Sequence, residues 1–263
     1  MMRYKELYLY ISNMNKDLII KEYTLNYGVK YWICENPFTE GNLKIIEEYV
    51  NNLPYNINKE IHNNPNSVNA TNEELNKIPF LKDIFAFMND FFMKHFNNKY
   101  INDIRRFNLN PDFFFWVNKY SSEITKKSNK NVFIPHLDGK IGIVVNLWLS
   151  KDISSSSTKL FKYRGRMRLN EKTDNNGIIR KNLVETTYID HVDMMDKNKN
   201  TIYTYSNWVN LDNDELIKYG FEYLGDAPSI YSYMTIYETN IPHVPYIPPE
   251  ITTRNSISIM LSF

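Results

Sequence analysis

The 263-residue chain reads as a mainly β protein with supporting α-helices, its core a barrel or jelly roll. Three observations lead there. Beyond about residue 105, short aromatic and β-branched runs recur between polar loops, the texture of many antiparallel strands. Aromatic residues make up 15% of the chain, with 20 Tyr and 15 Phe, which suits pleated, half-buried surfaces. Helical periodicity is confined to the upstream third. One large domain is expected at this length, with residues about 1–105 as a helical and mixed support region and about 106–263 as the β core.

Taking the elements in order, VKYWIC at 29–34 predicts a strand, and Thr39 opens a helix from about Glu40 to Leu53 with Leu43, Ile46 and Val50 at helical spacing. Thr71 followed by Glu74 has the form of a capping box, and Pro79 suits a first helical turn. Phe80, Leu81, Ile84, Phe85, Met88, Phe91 and Phe92 then mark one apolar helix face through KHFNN, a stripe that serves the core. The strand candidates downstream are FFFWVNKY, IGIVVNLWL, TKLFKYRGRMRL, TTYIDHV, TIYTYSNWV, SIYSYMTIYE and NSISIMLSF. SSEITKKSNKN, SKDISSSST, NEKTDNNG and MDKNKN between them read as loops of one domain.

Several function classes lose support from composition. Lys plus Arg number 31 against 30 Asp plus Glu, a net charge of +1, so no global field steers the chain onto nucleic acid or membrane. Cys34 is the single cysteine, which excludes a disulfide framework or a cysteine zinc site within one chain and fits a reducing compartment. The first twenty residues interrupt their apolar patches with Lys5, Glu6, Asn13, Lys16 and Asp17, so a soluble cytoplasmic protein is expected. With 8 Gly in the chain, neither the dinucleotide fingerprint nor the phosphate loop is present.

The chemistry-bearing signal starts at IPHLDG. On extended backbone, residues i and i+2 face the same side, so His136 and Asp138 can meet one metal while Leu137 turns into packing and Gly139 permits a sharp turn. A third ligand is available in His243 of NIPHVPY, beyond an aromatic strand-like run. Two imidazoles and one carboxylate form the facial triad of non-haem iron(II) oxygenases, with positions left open for ligands and oxygen. Arg254 follows eleven residues after His243, and Arg254, Ser256 and Ser258 alternate with Asn255, Ile257 and Ile259, so the polar set shares one strand face directed inward. A buried guanidinium calls for an anion, and its planar fork matches a carboxylate.

This arrangement resembles the iron(II)- and 2-oxoglutarate-dependent dioxygenases, whose pattern is HxD, a distant His, then Arg about ten residues on with Ser or Thr two further. Here it reads HLD at 136–138, His243, and RNS at 254–256. The resemblance covers about residues 113–263, and Tyr120 stands where the family has an upstream Tyr, with Asn118 beside it. It implies a double-stranded β-helix core (jelly-roll, cupin-like). It also implies Fe(II) held by His136, Asp138 and His243, with 2-oxoglutarate chelating the iron and its far carboxylate meeting Arg254 and Ser256. Dioxygen would be the second cosubstrate, and succinate and carbon dioxide the co-products. Retention of Asp138 argues against the related halogenases and for hydroxylation, and the absence of an added recognition domain favours a small-molecule or amino-acid substrate.

Other assignments compete. His191 and Asp193 form a second HxD, but it runs into MMDKNKN rather than a long apolar strand. His62 and His95 lie in the support region, where surface and helix-terminal roles are ordinary. Lys162, Arg164, Arg166 and Arg168 alternate along KYRGRMR and read as a solvated sheet face. A zinc hydrolase could use the same three ligands but gives Arg254 and Ser256 no role. A non-catalytic jelly-roll binding module predicts broken ligands, whereas all three are intact.

Overall fold

The computed structural model describes residues 14–15, 17–52, 67–69, 79–121, 138, 141–163, 168–173, 179–184, 221–248 and 250–263. Among them, strands β1 (Ile19–Thr24) and β2 (Lys30–Glu35) form a hairpin, followed by helix α1 (Glu40–Asn52) and the short strand β3 (Ser67–Asn69). Helices α2 (Pro79–His95) and α3 (Asn97–Arg106) lead into β4 (Asp112–Ser121). The remaining strands are β5 (Gly142–Trp148), β6 (Ser157–Tyr163), β7 (Arg168–Thr173), β8 (Ile179–Val184), β9 (Phe221–Pro228), β10 (Met234–Glu238), β11 (His243–Tyr246) and β12 (Thr253–Ser262).

Strands dominate, and their pairing is antiparallel throughout. The large sheet has the order β1-β2-β10-β5-β12-β4-β3, a smaller one the order β11-β6-β9, and β7 pairs with β8. The chain passes from the large sheet to the small one between β5 and β6, returns between β9 and β10, and crosses twice more to reach β11 and then β12. This alternation between two facing antiparallel sheets is that of a double-stranded β-helix.

Period-two patterning explains the layers. On the outer face of the large sheet Phe115, Val117, Ile143, Val145, Leu147, Met234, Ile236, Ile257, Ile259 and Leu261 are buried in one cluster with Leu81, Ile84, Met88 and Phe92 of α2 and Ile46 and Val50 of α1. The apolar stripe expected on α2 therefore covers this sheet. Thr39 starts α1 as expected, its Oγ1 accepting the Asn42 N–H at 3.3 Å. Between the sheets a second cluster joins Tyr31, Ile33, Val144, Leu160, Tyr237 and Met260, and a third joins Tyr120, Trp148, Ile153, Ile247 and Ile251. Gly142 opens β5 at φ +153°, and a Cβ there would stand 2.0 Å from the Leu261 carbonyl oxygen, so this close approach of β5 to β12 admits only glycine.

Several expectations are corrected. The helix expected to run through KHFNN breaks at Phe96, and α3, with Tyr100 as its buried residue, follows as a separate polar helix. Its low apolar content hid it. Lys99 Nζ (2.6 Å) and the Tyr100 hydroxyl (2.5 Å) both bond Glu238 at the end of β10, which anchors it instead. Of TKLFKYRGRMRL the described residues supply β6 and the start of β7, and NEKT, expected in a loop, is strand in β7 paired with β8. SIYSYMTIYE is strand only from Met234; Ser232 at φ +66° and the Tyr233 N–H to Ile230 carbonyl bond at 3.0 Å make a turn ahead of it. β1 and β9 were not expected from periodicity, being polar on both faces or interrupted by Gly225 and Pro228. The Thr71–Glu74 capping box, TTYIDHV, TIYTYSNWV, His62, His191, Asp193, Arg164 and Arg166 lie outside the described residues. Lys162 is exposed, with Nζ 4.6 Å from the centre of the Tyr27 ring. No helix among the described residues is long and apolar enough to cross a membrane.

Cys34 lies on β2 with no exposed surface, and burial, with Glu35 adding to it, pushes its thiol up to about 12. The native protein at mildly alkaline pH is expected to resist an aromatic disulfide reagent and to react promptly once unfolded in urea. Rapid stoichiometric labelling without denaturant would contradict this packing.

Candidate metal and cosubstrate site

The facing surfaces of the two sheets leave a cavity of about 150 Å³. Alternation determines what lines it. From β4 come Trp116, Asn118 and Tyr120; from β5, Val144, Asn146 and Trp148; from β12, Arg254, Ser256 and Ser258. The small sheet contributes Thr158, His243 and Pro245, followed by Ile247, while Tyr237 enters from β10 and Asp138 from the segment ahead of β5. The structure thus brings together six of the seven residues singled out in the sequence. His136 is the seventh and lies outside the described residues.

His243 lies beyond β10, as expected, and is itself the first residue of β11, paired with Leu160 of β6. Its Nδ1 lies 3.0 Å from the Ile241 carbonyl oxygen, which fixes Nδ1 as the protonated nitrogen when the ring is neutral and leaves the Nε2 lone pair directed into the cavity. Asp138 Oδ2 lies 3.2 Å from that Nε2, and the Asp138 backbone N–H donates to the Thr239 carbonyl at 3.1 Å, just past the end of β10. Burial opposes charge on the His243 ring, yet the Asp138 carboxylate and the Ile241 carbonyl together lift its pKa above the ordinary histidine range. One imidazole nitrogen and one carboxylate oxygen therefore converge, both largely shielded from solvent. No cluster of three or more His, Cys, Asp or Glu is present among the described residues; the pair needs a further ligand, for which His136, two residues before Asp138, is the candidate.

Arg254 is buried on β12 opposite Tyr120 of β4. Its guanidinium lies 4.3 Å over the Trp148 ring, and Nη2 donates to Ser229 Oγ at 3.3 Å and to the Ser157 carbonyl at 3.5 Å. Trp148 is itself held: its indole N–H donates to Thr235 Oγ1 at 2.8 Å, and Thr235 donates to the Pro228 carbonyl at 3.0 Å. Cation–π contact on a pinned ring fixes the height of the guanidinium without using its N–H fork. Measured along β6, the Ser157 carbonyl by Arg254 and the Leu160 partner of His243 are three residues apart, roughly 10 Å of strand. The Arg254 end and the His243–Asp138 end thus face one cavity from separate positions, and Asp138 is the one acid among the described residues lining it.

Between those ends runs a polar band that sequence reading missed in part. Asn118 Nδ2 donates to Ser258 Oγ at 2.7 Å and approaches Ser256 Oγ at 3.5 Å; Ser258 Oγ donates to Asn146 Oδ1 at 2.5 Å, and Asn146 Nδ2 donates to the Tyr237 hydroxyl at 3.1 Å. Asn146 carried a signal, being the one polar residue inside IGIVVNLWL. Tyr237 carried none among the many tyrosines. Its ring centre lies 4.9 Å from that of His243, and burial, reinforced by the Asp138 charge, raises its phenol pKa far above the ordinary value, so the hydroxyl keeps its proton.

No family model matches the chain, and no curated protein matches it. Solved structures similar to it include EvdO2 from Micromonospora carbonacea var. aurantiaca, at 9% identity and TM-score 0.47, with 99% of this chain and 91% of that one covered. HygX from Streptomyces hygroscopicus with iron bound shows 7% identity and TM-score 0.40 over 99% and 87% of the two chains. HygX with nickel and 2-oxoglutarate bound shows 6% identity and TM-score 0.41 over 99% and 86%. Pocket chemistry in the present chain has to be read from its own side chains.

Asn146→Leu would strip Ser258 of its acceptor and Tyr237 of its donor inside the cavity. Urea denaturation is expected to show a loss of about 1–3 kcal/mol, the cost of leaving buried polar groups unsatisfied. A variant as stable as the parent would mean that the band is solvated rather than sealed.

Proposed function

We propose that this chain is an iron(II)- and 2-oxoglutarate-dependent oxygenase that hydroxylates an unactivated C–H bond of a small molecule or amino acid. The observation that carries the reading is the meeting of His243 Nε2 and Asp138 Oδ2 in the same small cavity that Arg254 and Ser256 enter from β12. A neutral nitrogen donor and an anionic oxygen donor suit iron(II), and His136 would complete the facial set. A set of three residues, His136, Asp138 and His243, would hold the metal and leave room beside it for a chelating cosubstrate.

Each residue then has a task. The Ile241 carbonyl keeps His243 in the tautomer that presents Nε2 to a metal. Asp138, secured through its backbone to Thr239, supplies the negative charge that offsets the ion. Arg254 and Ser256 would receive the far carboxylate of 2-oxoglutarate, with Tyr120 and Asn118 flanking it from β4. The Trp148 platform means the guanidinium is oriented before the ligand arrives, which lowers the entropy cost of binding. Trp116, Val144 and Ile247 contribute apolar wall that limits water around the reacting groups. When bound, iron with 2-oxoglutarate and dioxygen supplies oxidative decarboxylation to succinate and carbon dioxide, coupled to oxidation of a substrate C–H bond.

Anaerobic addition of iron(II) and then 2-oxoglutarate to the purified protein is expected to give the weak visible charge-transfer band of the chelate. His136→Ala and His243→Ala should each abolish metal uptake and the band. Arg254→Ala should leave metal uptake largely intact while raising the 2-oxoglutarate needed by roughly tenfold or more, as befits loss of a charge-assisted contact. Absence of the band from folded, metal-loaded protein would instead favour a zinc hydrolase or a binding module. An unchanged 2-oxoglutarate requirement in Arg254→Ala would refute the cosubstrate assignment even with the metal site intact.

A further inference from the structure

The polar band between the sheets has a direction. Asn118 gives an amide proton to Ser258, Ser258 gives its hydroxyl proton to Asn146 Oδ1, and Asn146 gives an amide proton to the Tyr237 oxygen. Each hydroxyl accepts from one side and donates to the other, so the polarity set at Asn118 is passed along unchanged. At the end of the relay the Tyr237 oxygen accepts a hydrogen bond, so its own hydrogen must point onward. Among the described residues no protein acceptor takes it. Tyr237 is 2% exposed and lines the cavity, so bulk water is not the recipient either. A buried hydroxyl that is obliged to donate calls for an acceptor inside the cavity, and an atom of a bound ligand can supply it.

Position identifies which part of the ligand. The Tyr237 ring packs against the His243 ring at 4.9 Å with the planes inclined at 59°, so this donor belongs to the metal end of the cavity rather than the Arg254 end. The acceptors available at a metal-chelating group are the oxygens of a keto acid. We propose that Tyr237 is a cosubstrate-binding residue whose hydroxyl donates a hydrogen bond to the chelating, keto-acid end of the bound dicarboxylate, held in that orientation by Ser258 and Asn146. This rests on the 2-oxoglutarate reading above. It divides recognition of the cosubstrate between two devices: Arg254 with Ser256 reads the distal carboxylate, and Tyr237 reads the chelating end. The relay also accounts for a polar Asn146 within an otherwise apolar central strand.

The two devices separate under two ligands. 2-Oxoglutarate carries both ends, whereas oxalate carries only a chelating end. Anaerobic titration of the iron(II)-loaded full-length protein, following the charge-transfer band for 2-oxoglutarate and its displacement by oxalate, gives both affinities without turnover. Manganese(II) binding, followed by electron paramagnetic resonance, reports the metal site alone. Tyr237→Phe, which removes one oxygen and keeps the ring, is expected to weaken 2-oxoglutarate and oxalate alike by about tenfold, the scale of one hydrogen bond to a charged acceptor, with manganese affinity within about twofold. Arg254→Met should weaken 2-oxoglutarate while sparing oxalate. Ser258→Ala, two steps up the relay, should reproduce the Tyr237→Phe pattern at about two- to fivefold, a graded effect that a merely misfolded variant would not give.

Wild-type affinities for both ligands in Tyr237→Phe, beside a normal wild-type band, would overturn the proposed donor and leave the oxygenase reading standing. A loss confined to 2-oxoglutarate would also overturn it, since the hydroxyl would then serve the distal carboxylate. A parent protein that loads metal but shows no band would remove the oxygenase reading and this donor together.

Discussion

The register of β12 is the constraint from which the rest of the molecule follows. This one strand is hydrogen-bonded on both sides, to β4 and to β5, over most of its length. Its odd-numbered Ile257, Ile259 and Leu261 enter the core shared with α2, while its even-numbered Arg254, Ser256 and Ser258 line the cavity. A slip of one residue would exchange the two sets, placing a guanidinium under the helices and three large aliphatic side chains in the pocket. Two flanking ladders, the close approach at Gly142 and the helical cover each oppose that slip. Stability of the outer layer and placement of the polar groups are therefore consequences of one alignment.

A second dependence runs through the crossings between sheets. His243 begins β11 in the small sheet, yet Asp138 is secured to Thr239 at the end of β10 in the large one. Only the short passage between β10 and β11 separates those two anchors. The imidazole and the carboxylate are brought within 3.2 Å because the chain changes sheets there. Arg254, by contrast, is placed by β12 and steadied by Trp148 and Ser229. His243 and Arg254 are thus carried to one cavity by strands, and Asp138, from the segment ahead of β5, is tied through its backbone to the end of β10, which limits their freedom before any ligand binds.

Much of this was legible in the chain. The stripe on α2 and the alternation in RNSISIMLSF depend on periodicities that a strand or helix enforces wherever it lies, and Asp138 and His243, read from their two segments, do meet. What escaped reading depended on tertiary context. α3 is held by Glu238, far away in sequence, so its own pattern was uninformative. NEKT becomes strand through pairing with β8 despite turn-forming residues. Tyr237 resembles many other tyrosines until its neighbours His243 and Asn146 are seen. His243 itself stands in NIPHVPY, where two prolines concealed a strand, because the small sheet uses β11 at its described edge and needs only some of its backbone donors.

The segregation along β12 also bears on how such a protein can change over generations. Substitutions at 257, 259 and 261 act on whether the polypeptide persists in the cell at all, since they open voids beneath α2. Substitutions at 254, 256 and 258 alter what the cavity recognises while leaving that layer filled. Selection for a new ligand can therefore work on alternate codons of one short stretch, and abundance and recognition become nearly separate traits encoded in interleaved positions.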